Sequence, residues 1–228
     1  MQGEGQEFES LNLHHYLKEE LMTLDLNNHR FEYIWHLINN NLTDIDIPFA
    51  DHVPCDPAIW QYPQHLIEYN KLVFEQGRKA LQDKNVLDIG CGIAWYLGSL
   101  EGVVKKYTGI EPDSKSVKYA KIMSNLVNLD AEIKLANAEQ IACSADTIMM
   151  LSVTQYIKNV KPIFEKFDCK NIILDCWEKH TNSITLDELI THIETLGFVL
   201  NKKTVFIDTQ KPELVSMHGD RYILHFHS

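Results

Sequence analysis

The sequence predicts an α/β fold: a doubly wound, mostly parallel sheet of seven strands with helices on both faces, an antiparallel strand at the C-terminal end, and a helical extension in front. Three observations predict it. From Asn85 onward short apolar runs alternate with amphipathic stretches, the pattern of repeated strand–helix units that build a parallel sheet. Near the end, two apolar strands (Phe198 to Ile207 and Arg221 to His227) follow one another with no helix between them, so they pair antiparallel. Ahead of the alternation, apolar residues recur at helical spacing.

In the extension, Leu13, Tyr16, Leu17, Leu21 and Leu24 predict a helix over about Phe8 to Leu26, and Phe31, Ile34, Trp35 and Ile38 a second. Asn39 to Asn41 end it. Thr43 to Ala58, with Pro48, Pro54 and Pro57, reads as a loop or linker. Residues 1–58 are therefore expected to form an extension or lid, and 59–228 the main domain. Pro63 suits a first helical turn, and Leu66, Ile67, Leu72 and Val73 carry a helix to Leu81.

In the main domain, strands are predicted at Val86 to Ile89, Tyr107 to Ile110, Ala131 to Leu135, Thr147 to Leu151 and Asn171 to Cys176. Leu97 and Leu100 belong to the first connecting helix. Ser114 to Leu126 is the second, with Asp113 as N-cap and Val117, Ala120 and Met123 on its buried face. The helix after the fourth strand is expected to run to about Phe167. Thr185 and Glu188 form a capping box before Leu189, Ile190 and Ile193, and Gly197 closes that helix.

The chain has 228 residues and is 45% hydrophobic, enough for one sizeable core. Its longest apolar runs fall far short of a bilayer span. The start Met1-Gln2-Gly3-Glu4 has neither a basic nor an apolar signal region, so a cytoplasmic location is expected. A net charge of -11 repels phosphate backbones and disfavours nucleic acid as a partner; neutral or cationic acceptors fit better. The cysteines at 55, 91, 143, 169 and 176 are odd in number and lack C-x-x-C spacing, which reads as reduced, mostly buried thiols with no zinc site.

The segment Val86-Leu87-Asp88-Ile89-Gly90-Cys91-Gly92-Ile93-Ala94 runs from a strand through a tight turn into a helix. Glycines at 90 and 92 let the backbone turn sharply and approach a ligand, at the strand ends where open α/β sheets bind ligands. A nicotinamide dinucleotide does not fit. Its G-x-G-x-x-G fingerprint wants a third glycine where Trp95 stands, and Asp88 opposes a pyrophosphate but suits an amino group or a sulfonium. Glu111 ends the second strand, close to the ~20-residue interval expected of an acid that accepts ribose hydroxyls.

These residues resemble the class I S-adenosylmethionine-dependent methyltransferases, a Rossmann-like family. Val86 to Ala94 is similar to the family's first motif, usually V-L-D-x-G-C-G-x-G, and Glu111, followed by Pro112, resembles its ribose-binding acid. Asn137-Ala138-Glu139 resembles the adenine-binding segment. Asp146 to Ile157 resembles the fourth-strand motif, whose Leu151-Ser152-Val153 would run under the methionine part. The resemblance covers about Asn85 to Ser228, and its first motif is the specific part. Ala94 stands where the family has glycine, and the bulky Trp95-Tyr96 pair follows.

The resemblance implies S-adenosylmethionine as cofactor, leaving S-adenosylhomocysteine, with Asp88, Gly90, Cys91, Gly92, Glu111, Pro112, Asn137, Ala138, Glu139, Leu151 and Ser152 around it. It places the acceptor over the same sheet edge. Thr154, Gln155 and Tyr156 after strand four and Trp177, Lys179 and His180 after strand five would line that space, with Trp60, Tyr62 and His65 from the lid. Tyr156 or His180 is the candidate general base. The plainer reading makes Tyr156 a helix residue packed on the sheet, Trp60 and Tyr62 core aromatics, His180 a solvated loop residue, and His225 with His227 a satisfied or exposed pair with no metal. Leu151-Ser152-Val153-Thr154 stands where adenine and glutamine amino-methylating enzymes carry N-P-P-Y or D-P-P-Y, which disfavours those acceptors. No paired acids match a magnesium-dependent catechol-type enzyme, although Asp175 leaves that reading open. The expected activity is methyl transfer to a small molecule: a metabolite, or a sugar- or lipid-linked group. The alternatives are a protein or peptide methyltransferase and a non-catalytic binding module.

Overall fold

A computed structural model of the chain describes residues 69, 71–94, 96–141, 143–179, 184–206 and 219–228. The chain divides into two compact units, Met1–Pro63 and Gln64–Ser228, and every described residue lies in the second. The two extension helices, the 43–58 loop, the Pro63 helix start, Trp60, Tyr62, His65, Trp95 and His180 lie outside the described residues.

Seven strands form one sheet: β1 (Asn85–Ile89), β2 (Lys106–Glu111), β3 (Ala131–Leu135), β4 (Thr147–Met150), β5 (Asn171–Trp177), β6 (Val199–Phe206) and β7 (Arg221–His227). Their spatial order is β3-β2-β1-β4-β5-β7-β6. β7 alone runs against its neighbours β5 and β6; all other pairs are parallel. Among the described residues the helices are α1 (Arg78–Leu81), α2 (Leu97–Leu100), α3 (Ser114–Leu126), α4 (Lys161–Phe164) and α5 (Leu186–Thr195).

The central strands are buried on both faces, which is why they read as unbroken apolar runs. Alternation sends Leu87, Ile89, Ile148, Met150, Ile172, Leu174, Leu224 and Phe226 to one face, where Ile163 and Phe164 of α4 and Leu189 and Ile193 of α5 meet them. The other face carries Val86, Asp88, Thr147, Met149, Ile173, Asp175, Ile223 and His225. The segment leading into β1 covers it: Thr147 Oγ1 donates to the Ala80 carbonyl, and Gly77 lies against Ile173 and His225. Both helix caps form as predicted. Asp113 accepts the Ser116 N–H at 2.7 Å, and Thr185 and Glu188 exchange bonds of 2.8 and 3.3 Å; each cap contributes about 1 kcal/mol. Gly197, with φ of 94°, ends α5.

Two expectations are corrected. The helix after β4 is not continuous to Phe167. A 3₁₀ turn (Thr154–Tyr156) and the single-turn α4 replace it, and Phe167–Asp168 pairs with Cys143–Ser144 in a separate short ladder. Pro162 is the cause: it has no N–H to bond an upstream carbonyl, so a helix begins there rather than passes through. Likewise the described part of the lead-in helix is broken into a π-helical turn (Lys71–Glu75) and α1. Gly77 divides them where no Cβ fits: an added one would stand 2.5 Å from the Val73 carbonyl oxygen and 2.9 Å from His225 Cε1.

His225 is buried, its Nε2 without a hydrogen-bond partner, while His227 is exposed. Burial first, then the Lys202 charge, hold its imidazole down at about 4, against a backbone hydrogen bond at Leu72 that favours the cation. The unfolded chain takes up this proton near the ordinary value of 6.5, so acidification from about 6.5 to 4 favours unfolding. Urea denaturation at stepped pH across that window is expected to show a loss of about 3 kcal/mol from this residue. His225→Phe should flatten the slope; an unchanged slope would place the proton elsewhere.

Candidate active site

The first functional element is the bend between β1 and α2. Gly90 and Cys91 both donate to the Ile110 carbonyl, at 2.8 and 3.1 Å, hooking the loop over the end of β2. Gly90, Gly92 and Ala94 all adopt left-handed backbone, with φ of 74°, 54° and 53°. At Ala94 this costs an L-residue about 1 kcal/mol, which explains why glycine is the usual occupant of this position in the motif. The surroundings of the two glycines differ. A Cβ on Gly90 would fall 2.3 Å from Val153 Cγ2, whereas one on Gly92 would meet no atom of the described residues within 4 Å. Gly90 is thus packed against the chain after β4, and Gly92 faces open space. Gly109 in β2 completes the seat. A Cβ there would lie 2.8 Å from Cys91 Sγ, so only glycine lets the buried Cys91 side chain rest on the sheet.

Glu111 closes the loop from the side. Its Oε2 accepts the Gly92 N–H at 2.9 Å and its Oε1 the Asp113 N–H at 3.0 Å. The half-buried carboxylate is thereby held at the edge of the open space, each oxygen keeping acceptor capacity for a hydroxyl. Pro112 stands between these two anchored residues. In register with Glu111, the end residue of β3, Leu135, is 59% exposed and offers an apolar surface on the same edge. Beyond it, Asn137 opens a 3₁₀ turn (Ala138–Gln140); Asn137 and Glu139 are exposed and Ala138 is buried.

Asp88, read from the sequence as suited to a ligand's amino group or sulfonium, lies inside the protein beneath the loop. It is completely buried, and its Oδ2 accepts the hydroxyls of Tyr96 and Tyr107. Oδ1 is buried and accepts no hydrogen bond among the described residues. Burial pushes this carboxyl up to about 6, opposed by the two tyrosine hydrogen bonds and aided by the Glu111 charge. Burial likewise raises the Tyr96, Tyr107 and Cys91 groups well above their usual ranges.

After β4, Leu151 is buried and Ser152 is left-handed, with φ of 57°. Asp175 of β5 holds that bend: its Oδ1 accepts the Ser152 N–H at 2.6 Å, and its Oδ2 accepts the Tyr69 hydroxyl and the Arg221 guanidinium. Arg221 also donates to Ser152 Oγ, and lies 4.5 Å from the Tyr69 ring centre, 5.7 Å from Trp177 and 5.8 Å from Phe206. Thr154 is fully buried and donates to the Asp175 carbonyl at 2.9 Å, so its hydroxyl is engaged inside the protein. Gln155 Nε2 caps the Ser152 carbonyl at 2.9 Å. Tyr156, in the 3₁₀ turn, is 67% exposed and not a packed helix residue. Trp177 is half-buried and Lys179 exposed.

The structure therefore gathers Gly90, Cys91, Gly92, Glu111 and the Leu151–Val153 segment around the ends of β1, β2 and β4. It adds residues that the sequence reading did not assign: Tyr69, Tyr96, Tyr107, Gly109 and Arg221, with Asp175 as a hub. A signal existed for the two aspartates, since each interrupts an apolar strand. Arg221 has none nearby; it reaches Asp175 only because β7 pairs with β5, Trp177 opposite Arg221.

Residues 87–168 match the sequence profile of a family described as a methyltransferase domain. No curated protein matches the chain. Three of the solved structures that share the fold show the range of the likeness. The N-methyltransferase NodS from Bradyrhizobium japonicum WM9, in complex with S-adenosyl-L-homocysteine, is 12% identical over 88% of this chain and 98% of its own, with a TM-score of 0.62. Magnesium protoporphyrin IX methyltransferase (ChlM) from Synechocystis PCC 6803, with bound S-adenosylmethionine, is 14% identical over 92% and 96%, at 0.56. An S-adenosylmethionine-dependent methyltransferase from Mesorhizobium loti is 12% identical over 70% and 98%, at 0.53.

The two loop glycines should fail differently. Gly90→Ala forces a methyl into Val153 and is expected to cost about 3 kcal/mol or more of stability in urea melts. Gly92→Ala meets only the left-handed penalty, about 1 kcal/mol, yet should weaken S-adenosylhomocysteine binding. Equal stability losses would refute this assignment. Asp88 adds a pH signature of opposite sign to that of His225. Its folded value of about 6 lies above the ordinary 3.8, so its contribution is complete below 3.8 and fades as pH rises through 6. Asp88→Asn should remove about 3 kcal/mol of that pH dependence; a wild-type slope in this variant would contradict the burial argument.

Proposed function

We propose that the chain is a class I S-adenosylmethionine-dependent methyltransferase that transfers a methyl group to a small-molecule acceptor, a metabolite or a sugar- or lipid-linked group; the match of residues 87–168 to a methyltransferase domain and the shared fold support this reading. The observation that carries this reading is the open space beside Gly92 faced by the Glu111 carboxylate. The chemistry of the residues fits a nucleoside: a carboxylate for paired hydroxyls, an exposed leucine on the same edge for a flat ring, and a backbone without side chains where the ligand passes. When bound, S-adenosylmethionine supplies a methyl carbon on a sulfonium, which an acceptor atom displaces in line.

In this reading Glu111 and Pro112 hold the sugar side, Asn137, Ala138 and Glu139 the base, and Gly90, Cys91, Gly92, Leu151 and the backbone of Ser152 the amino-acid end. Asp88 supports the loop from beneath through Tyr96 and Tyr107. Gln155, Tyr156 and Trp177 face the acceptor, where the exposed Tyr156 phenol is the candidate base. Among solved structures of the same fold, the one named for magnesium protoporphyrin IX acts on a small molecule. The buried thiols of Cys91 and Cys176 support a cytoplasmic setting. Among the described residues no helix is long and apolar enough to cross a membrane. A second reading, methylation of basic protein segments, is favoured by the net charge of -11.

Calorimetry with S-adenosylhomocysteine is expected to show saturable binding that Glu111→Ala weakens at least tenfold, about 1.4 kcal/mol. Absence of binding to the wild-type protein would leave only a non-catalytic module. With labelled S-adenosylmethionine, label should appear in small molecules of a metabolite extract. Label confined to lysate proteins would replace the acceptor class with basic peptides.

A further inference from the structure

Asp175 lies two strands away from the glycine loop, yet the structure ties the two together. Its carboxylate is buried at 1% exposure and receives donors from three separate parts of the chain: the Ser152 N–H after β4, the Tyr69 hydroxyl from the lead-in segment, and Nη2 of Arg221 at the start of β7. The Ser152 bond is the informative one. Ser152 adopts φ of 57°, a conformation that a residue with a Cβ enters only against a penalty. The side chain itself is exposed, so packing does not hold it there. What holds it is the 2.6 Å bond to Oδ1 of Asp175, with the Arg221–Ser152 Oγ bond bracing the other side.

The next residue carries the consequence to the loop. Val153 is the side chain that leaves no room for a Cβ at Gly90, the first left-handed residue of the bend. The Asp175 carboxylate thus sets Ser152, Ser152 sets Val153, and Val153 bounds the strand-to-loop turn on which Gly92 depends. Arg221, flanked by Tyr69, Trp177 and Phe206, keeps the carboxylate paired, so that its burial is compensated.

We propose that Asp175 is a positioning residue for cofactor binding: it holds the left-handed turn at Ser152 and, through Val153, the shape of the glycine loop. The proposal rests on the reading of the glycine loop as the S-adenosylmethionine site, and its test separates the two. S-adenosylhomocysteine affinity and thermal midpoint are measured for the full-length wild type, Asp175→Asn and Asp175→Asn/Ser152→Gly. The amide keeps the size of the side chain but places an N–H₂ against donors. The single variant is expected to bind S-adenosylhomocysteine about tenfold more weakly. In the double variant glycine enters the left-handed turn without penalty, and affinity should return to within about threefold of wild type while the midpoint stays low.

A folded Asp175→Asn that binds like wild type overturns the proposal, as does a double variant no better than the single one. If Asp175→Asn does not fold, Ser152→Val provides the test. A β-branched residue resists the left-handed turn at an exposed position, so affinity should fall about tenfold at a near-normal midpoint, and wild-type affinity would overturn the proposal. No binding by the wild-type protein would instead reject the cofactor-site reading itself.

Discussion

The Gly92 N–H donating to the Glu111 carboxylate is the contact on which the rest of the site depends. It joins the loop after β1 to the end of β2 and aims an acceptor group at space that no atom of the described residues fills. Three conditions make it possible. Gly90 turns the chain left-handed over the Ile110 carbonyl, Gly109 removes the Cβ that would lift Cys91, and Asp113 donates to the second Glu111 oxygen. Each is a backbone constraint, which is why the local sequence tolerates so few residue types there.

Beneath this edge the same sheet face buries two aspartates, Asp88 in β1 and Asp175 in β5. Both sit in strands that are otherwise apolar, and both meet tyrosine hydroxyls: Tyr96 and Tyr107 at the first, Tyr69 at the second. The two differ in charge balance. Asp175 has Arg221 beside it, whereas among the described residues Asp88 meets only tyrosine hydroxyls, and burial pushes its carboxyl up to about 6 against those two hydrogen bonds. A buried carboxyl without a cation holds its proton more readily. The polar face therefore combines a carboxylate paired with Arg221 in β5 and one that burial pushes up below the glycine loop.

The fold was legible because its signals are local. Continuous apolar runs marked β1, β4 and β5, and the Asp113 and Thr185–Glu188 caps marked the starts of α3 and α5. The motif residues Gly90, Gly92 and Glu111 were legible for the same reason, since their spacing in one strand–helix–strand unit determines their proximity. What escaped was long-range. The Asp175–Arg221 pair depends on the register of antiparallel β5 and β7, and Asp88 was read as facing a ligand because Tyr107 and Tyr96 are not visible as its partners from spacing alone. The broken segment after β4 was legible in principle: Pro162 marks a helix start, but the apolar residues around it suggested continuity.

A crystal structure of the protein with S-adenosylhomocysteine tests the central claim most directly. The sugar hydroxyls are expected within hydrogen-bond reach of Glu111, with the nucleoside passing over Gly92 and the bend at Gly90 unchanged. A ligand bound elsewhere, with Glu111 still turned wholly onto Gly92 and Asp113, would contradict it.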